Sequence, residues 1–302
     1  MSKLCEGRVV VITGAGRGLG RAHALEYARQ GAKVVVNDTG SSSTGDGRSE
    51  DVANEVVELI RGAGGEAVAN TADVSDWEAA ATLVETAVDA FGRLDVLVNN
   101  AGILRDRMIV SMTEEEWDIV ARVTMKGHFA PMHHAARYWR GQVKAGEEVD
   151  ARIINTSSGA GLMGSIAQVN YAAAKAGIAA MTIIAAVELA PYGVTANAIA
   201  PSARTRLTDG MFGDMMVKPE SGFDAMAPEN VSPLVVWLGS EESRSVTGRV
   251  FEVEGGQISV ADGWQHGPAV DRGERWDPAE VGTAVQELLT KAPPPAPVYG
   301  TS

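Results

Sequence analysis

The sequence predicts a doubly wound α/β fold, and three observations carry that prediction. Short β-branched runs alternate with helix-length amphipathic segments from residue 9 to residue 253. The runs are apolar at consecutive positions, as strands buried on both faces of a parallel sheet must be. No Pro-, Gly- or Ser-rich linker interrupts the alternation, so it reads as one domain with right-handed crossovers.

In order, the strands are expected at Val9–Ile12, Lys33–Asn37, Glu66–Ala69, Leu94–Val98, Arg152–Thr156, Val194–Ile199 and Arg249–Val253. The helices between them are expected at Gly18–Gln30, Ser49–Arg61, Asp76–Phe91, Thr113–Arg140, Val169–Ala190 and Pro228–Ser240. Ser75-Asp76 marks one helix start, and Thr113-Glu114-Glu115-Glu116 has the form of a capping box. Thr39 to Arg48 is a Gly/Ser-rich loop, longer than a usual βα connection. The domain is set at residues 1–261 and a C-terminal extension at 262–302. The extension holds Trp264, Trp276 and a short helix near Pro278–Leu289. Its tryptophans suggest packing on the domain or on a partner subunit, and its Pro-rich end, Pro293–Ser302, reads as disordered.

Composition narrows the function. A net charge of −13 argues against a nucleic-acid partner, which needs a basic face. The single cysteine, Cys5, excludes an intrachain disulfide and a cysteine metal cluster, and fits a reducing, cytoplasmic setting. The first residues show no apolar signal core. The longest apolar stretch, Ala176 to Val187, falls short of the ~20 residues a bilayer demands, so no membrane insertion is expected. His133-His134 has no further ligand at metal-binding spacing, and no metal is assigned.

Gly14, Gly18 and Gly20 lie between the first strand and first helix, where backbone must approach a pyrophosphate and a helix N-terminus offers free N–H groups. Asp38 ends the second strand, where a carboxylate can bond both ribose hydroxyls of NAD. The same carboxylate would repel a 2′-phosphate by ~4 kcal/mol at ~4 Å and an effective dielectric of ~20, so NAD is the expected cofactor. Arg17 pulls the other way, as a phosphate partner.

Tyr171 and Lys175 are four apart on one predicted helix, hence on one face, and Ser158 follows the fifth strand. A free tyrosine titrates near ~10; lowering it by three units takes ~4 kcal/mol, within reach of two neighbouring cations. Tyr171 would then take a hydroxyl proton as hydride leaves, with Ser158 holding the substrate oxygen.

These residues resemble a family pattern. Thr13-Gly14-x-x-x-Gly18-x-Gly20, Asn99-Asn100-Ala101-Gly102, Ser158 and Tyr171-x-x-x-Lys175 are similar to the short-chain dehydrogenase/reductases over about residues 6 to 260. The resemblance implies a seven-stranded Rossmann-type sheet and a nicotinamide-dependent oxidoreductase. It places Leu19 on the glycine-rich turn, Asp73 and Val74 at the adenine, and Asn100, Ala101 and Gly102 on the ribose side. Tyr171, Lys175 and Pro201 complete the cofactor contacts. Two departures stand out. Thr124 occupies the position of the family's relay asparagine, leaving its hydroxyl or a water as the route, and Pro201-Ser202-Ala203-Arg204 replaces the usual Pro-Gly.

Val36-Asn37-Asp38 with its long loop, Asn99 through Arg107, and Pro233 through Leu238 further resemble the (R)-3-hydroxyacyl-CoA dehydrogenase part of the peroxisomal multifunctional enzymes type 2. That group also departs from asparagine at the Thr124 position. The resemblance implies an acyl-CoA substrate, fatty or sterol side-chain, and a 3-hydroxy/3-oxo interconversion. Two alternatives stay open: a hydroxysteroid or secondary-alcohol dehydrogenase on a free ligand, and a non-catalytic NAD-binding protein. Arg105, Arg107, Arg204 and Arg206 are candidates for CoA phosphates or for ion pairs with Asp106 and Asp209. Met211, Met215 and Met216 fall where the family has a substrate lid. Ala172 to Ala186 is apolar nearly all round, which predicts cover on both sides and thus a homodimer or homotetramer.

Overall fold

The structure, a computed structural model, describes residues 3–42, 47, 49–205, 217–261 and 263–298. Seven parallel strands form the sheet: β1 (Val9–Thr13), β2 (Lys33–Asn37), β3 (Glu66–Asn70), β4 (Val96–Asn99), β5 (Ala151–Thr156), β6 (Val194–Ser202) and β7 (Val250–Glu254). An eighth, β8 (Gln257–Ala261), pairs antiparallel with β7, so the order is β3-β2-β1-β4-β5-β6-β7-β8. The seven-strand expectation is therefore corrected to eight. The hairpin register joins Glu254 to Gln257 across Gly255-Gly256, a two-residue turn in which Gly255 has φ +53°.

Helices cover both faces: α1 (Gly18–Arg29), α2 (Asp51–Gly62), α3 (Trp77–Phe91), α4 (Glu114–Val120), α5 (Gly127–Lys144), α6 (Gly159–Met163), α7 (Val169–Leu189), α8 (Ser232–Leu238) and α9 (Pro278–Lys291). Their starts follow local chemistry. Asp76 accepts from Ala79 N–H at the head of α3, and Thr113 and Glu116 close a reciprocal capping box on α4. One long helix was expected over Thr113–Arg140; instead α4 and α5 are joined by a π-helical turn, Ala121–Lys126. The wider turn carries Thr124, which is fully buried. At Pro228–Ser240 a 3₁₀ turn, Pro228–Asn230, precedes α8, because Pro233 fits only the first turn of a helix.

The two faces of the sheet bury separate cores. Val10, Ile12, Val34 and Val36 pack with Tyr27 and Leu238 on one side; Val9, Val11, Val35 and Ile153 pack with Leu83 and Trp139 on the other. β6 runs through Pro201, which pairs with Val253 of β7, while pairing with β5 ends at Ile199. The missing Pro201 donor therefore faces no strand partner. Helix α7 and the turn after it, Val169–Tyr192, span 24 residues, with an 18-residue window of mean hydropathy 1.6, long and apolar enough to cross a membrane by length and composition alone. The helix is longer than the apolar stretch Ala176 to Val187 because it also takes in Asn170, Lys175 and Glu188; here β6 and α6 pack against it. Helix α9 buries no residue, and Trp264 is fully exposed; Trp276 lies under the Arg272 guanidinium at 5.7 Å.

One charged cluster ties β5 to the rest. Arg152 is 1% exposed, and its guanidinium meets Asp150 at 2.8 and 2.9 Å and the Ser240 carbonyl at 3.0 Å. Arg8 and Arg244 reach the same carboxylate at 3.2 and 3.1 Å. Burial pushes the Asp150 carboxyl up, but the three arginines outweigh it and hold it below the usual range. A depressed carboxyl lends stability above its unfolded value near ~4 and loses it as pH falls through the folded value. Asp150→Asn should therefore lower Tm by several degrees at pH 7. The gap to the unmodified protein should close as pH drops below about 4, followed by calorimetry across pH.

Candidate active site

The site lies at the carboxyl ends of β1 and β4, where the strand order reverses direction. Thr13 ends β1, and its hydroxyl accepts from Asn100 N–H at 2.9 Å and Ala101 N–H at 3.1 Å. In return the Asn100 side-chain amide donates to the carbonyls of Thr13 and Gly14 at 3.0 and 3.1 Å. Gly14 and Gly18 take φ +62° and +51°, conformations that favour glycine. At Gly20 space decides instead: a Cβ would lie 2.2 Å from the Gly14 carbonyl oxygen and 2.6 Å from the Asn100 amide.

A cavity of about 300 Å³ opens beside this turn, lined by Gly14, Arg17, Gly18, Leu19, Asp38, Asp73, Val74, Asn100, Ala101 and Gly102 among others. Ten of the expected cofactor positions thus share one cleft. Gly20, Tyr171, Lys175 and Pro201 are outside its lining. Gly20 supports it from behind. The Asp38 carboxylate accepts from Gly16 N–H at 2.9 Å and Gly40 N–H at 2.7 Å, so it is held at the rim by backbone. Gly16 escaped the sequence reading; a Cβ there would lie 2.4 Å from Val52 and 2.9 Å from Asp38. Arg17 donates to the Ser41 carbonyl at 3.3 Å. The loop after β2 is pinched at its base by Ser49 N–H on the Thr39 carbonyl, 3.0 Å, and residues 43–46 and 48 within it lie outside the described residues. Asp73 accepts from Ser75 N–H and Oγ at 2.9 and 2.6 Å, fixing the turn before α3.

The second half of the site starts at the end of β5. Ser158 caps α6, its Oγ accepting from Ala160 N–H at 3.2 Å, which leaves the hydroxyl proton free to donate. Ser157 Oγ donates to the Lys175 carbonyl at 2.9 Å and pins α7 to the strand. Lys175 is 2% exposed; its ammonium donates to the Thr156 carbonyl at 2.7 Å and lies 5.4 Å from the centre of the Tyr171 ring. A Cβ built on Gly102 would stand 3.8 Å from Lys175 Nζ and 3.6 Å from Thr124 Oγ1. Thus Lys175 reaches the cleft wall, although the cleft lining stops short of it. Gly161 permits the close contact of α6 and α7, since a Cβ there would be 2.6 Å from Lys175 Cβ.

Burial lowers the Lys175 pKa to about 7. The Thr124 hydroxyl accepts from Ile103 N–H at 3.3 Å. The other candidates go elsewhere. Arg107 pairs with Glu116 at 2.8 Å, Arg204 pairs with Asp224, and Asp106 accepts from Gln168 at 2.9 Å. His133 and His134 stack on Trp77 at 4.7 and 5.1 Å. Arg206, Asp209, Met211, Met215 and Met216 lie outside the described residues.

Comparison with known proteins agrees with this geometry. The family model described as short chain dehydrogenase matches residues 8–211. The chain belongs to the short chain dehydrogenase family. It is 43% identical over 295 residues to a Mycobacterium tuberculosis protein named hydroxyacyl-CoA dehydrogenase ChsB1, covering 95% of this chain and 90% of that one. It is 45% identical to peroxisomal multifunctional enzyme type 2 of Mus musculus over 84% of this chain, but spans only 32% of that longer protein. A crystal structure of a short chain dehydrogenase from Mycobacterium avium, 61% identical, superposes with a TM-score of 0.89 over 99% of this chain and 100% of that one. The protein is thus an oxidoreductase of a family whose members use a nicotinamide dinucleotide.

Two predictions arise from the site. Gly20→Ala places a methyl against backbone that cannot yield and should weaken dinucleotide binding at least tenfold, read by quenching of protein fluorescence. Lys175 supplies the second. Its folded pKa lies below the unfolded ~10.4, so the folding cost is full below about pH 7 and is relieved as pH rises to ~10.4. Lys175→Met should therefore raise Tm of the cofactor-free protein at pH 7, and that gain should vanish above pH ~10.

Proposed function

We propose that the protein is an NAD-dependent dehydrogenase that interconverts a 3-hydroxyacyl-CoA and a 3-oxoacyl-CoA, with Ser158, Tyr171 and Lys175 as its catalytic residues. One observation carries the chemical part of the reading. The buried Lys175 ammonium lies under the Tyr171 ring and within reach of Gly102, so the acid/base pair adjoins the cleft wall. The residues fit a dinucleotide: the turn around Gly14 and Gly20 has no room for side chains, and helix α1 begins at the cleft. When bound, that group supplies the hydride acceptor.

In oxidation of the hydroxyl, Ser158 donates a hydrogen bond to the substrate oxygen while Tyr171 removes its proton. Lys175 and the Tyr171 phenolate stabilise each other, because either charge alone is costly at this depth. Asp38 supports NAD over NADP, since its carboxylate is held by two backbone N–H groups at the rim and cannot readily swing from a 2′-phosphate. Arg17, bonded to Ser41, is the phosphate partner available if Asp38 is neutralised. The acyl-CoA assignment rests on the names of the relatives and on the sequence resemblance.

The fold also supports an oligomer. Ile183, Ile184 and Val187 of α7 are 49%, 56% and 73% exposed, an apolar strip on the side that β6 and α6 leave open. We assign residues 1–261 as the domain and 262–302 as an extension that packs on a partner subunit, since Trp264 and α9 find no cover among the described residues. A homodimer or homotetramer is expected, and a monomer in light scattering at micromolar concentration would exclude it. A cytoplasmic location fits the one buried cysteine.

The assay is reduction of NAD or NADP with (R)- and (S)-3-hydroxyacyl-CoA of several chain lengths. Turnover with NAD and one enantiomer is expected. Silence with every thioester, together with turnover of a free steroid or alcohol, would overturn the acyl-CoA reading. Tyr171→Phe should lower kcat by a factor of ~10³, within the range of general acid–base contributions. Unchanged turnover in that variant would leave only a dinucleotide-binding role.

A further inference from the structure

Three segments meet just ahead of Tyr171, and one buried side chain ties them together. Asn170 lies in the first turn of α7 and is 2% exposed. Its Nδ2 donates to the Arg105 carbonyl at 3.0 Å and to the Glu116 carbonyl at 3.1 Å. Its Oδ1 accepts from the Tyr171 N–H at 2.7 Å. The first carbonyl belongs to the segment that leaves β4, the second to α4, and the N–H to the residue assigned as the base. Both N–H groups and the oxygen of this one amide are therefore in use. The N–H groups in the first turn of a helix lack partners within it, and Gln168, the residue before α7, caps none with its side chain. Asn170 supplies that missing cap from inside the turn.

The elements that Asn170 joins are the ones that hold the Tyr171 side chain. Tyr171 packs against a small apolar cluster in which Ile103 follows β4, Val120 ends α4 and Ala174 lies on α7. Ile103 also lines the cleft, so a shift of α7 against this cluster is a shift of the base against the cleft wall. Apolar contact is non-directional and resists such sliding weakly, whereas a hydrogen bond fixes both distance and direction. Two more contacts close the same seam. Arg107 N–H donates to the Ala167 carbonyl at 2.7 Å, and Gln168 Nε2 donates to Asp106 at 2.9 Å. Ala167, at φ +63°, is the one non-glycine residue with positive φ among the described residues. A strained backbone of this kind persists where its surroundings over-determine it, and it stands four residues before the base.

We propose that Asn170 is a positioning residue for Tyr171: its amide locks the start of α7 to the segment after β4 and to α4, and so fixes where the Tyr171 side chain stands against the cleft. The idea rests on Tyr171 being the acid/base of the reaction. Asn170 itself moves no proton and meets no substrate, because its amide is committed to backbone on all three sides.

Asn170→Asp keeps the oxygen that accepts from Tyr171 but loses both donors, and Asn170→Ala loses all three bonds. Per dinucleotide-binding site, titrated by protein fluorescence, kcat should fall by about tenfold to a hundredfold in both variants. KM and the dinucleotide Kd should stay within about twofold. Either substitution added to Tyr171→Phe should lower the residual turnover by no more than about twofold, because the group it positions is already gone. Full kcat in Asn170→Asp would reduce Asn170 to a helix cap and overturn the proposal. An equal loss with and without the Tyr171 hydroxyl would also overturn it and mark a packing role. If neither variant folds, amide hydrogen exchange in the unmodified holoenzyme decides. The Tyr171 N–H should exchange as slowly as amides in the middle of α7, and exchange as fast as an open first turn would overturn the proposal. Full turnover by Tyr171→Phe would instead refute the base itself, whatever Asn170 does.

Discussion

The Asn100 side chain is the constraint on which the cleft depends. Its amide donates to two successive carbonyls, Thr13 and Gly14, and so holds the turn that leaves β1 against the end of β4. The Thr13 hydroxyl returns the contact to the backbone of Asn100 and Ala101. Four hydrogen bonds thus cross the point where the strand order reverses. Each is part-buried, and a buried bond left unmade costs ~1–3 kcal/mol. Gly20 follows from this, because any side chain there would strike the same carbonyl and amide. The glycine pattern is then a record of backbone packing first and of phosphate access second.

Two buried cations, Arg152 of β5 and Lys175 of α7, are treated in opposite ways. Arg152 receives a bidentate carboxylate, a backbone carbonyl and a neighbouring ion-pair network. Lys175 receives one carbonyl and a ring face. The first arrangement satisfies a charge; the second keeps it near the edge of losing its proton, with a pKa of about 7. An isolated buried charge costs several kcal/mol, and such a cost persists where the surrounding structure over-determines it. Ser157 on the Lys175 carbonyl and the tight Gly161 contact supply that restraint.

Much of this was legible in the sequence because it depends on local rules. Strand and helix alternation gives the seven parallel strands within a few residues, and the caps at Asp76 and Thr113 appear as read. The β7–β8 hairpin was not legible from the strand–helix alternation, because a tight Gly255-Gly256 turn joins its strands with no helix between them. The π turn was not legible: a widened turn keeps the apolar spacing of an ordinary helix, and only the packing of Thr124 against Ile103 and Gly102 reveals it. At the site, ten of the cofactor positions line one cleft because strand ends converge there by topology. Gly16 was passed over because its role lies in a contact with Asp38, twenty-two residues away.

The π turn carries Thr124 inward to full burial, and its hydroxyl accepts from the Ile103 N–H at 3.3 Å, which anchors the segment after β4 rather than the lysine. The lysine takes its acceptor from β5 instead, the Thr156 carbonyl at 2.7 Å, while Ser157 Oγ donates to the carbonyl of Lys175 itself. The loop after β4 and the cation of α7 are therefore tied by separate contacts, so loss of the Thr124 hydroxyl would loosen the loop and leave the hydrogen bond of the ammonium in place.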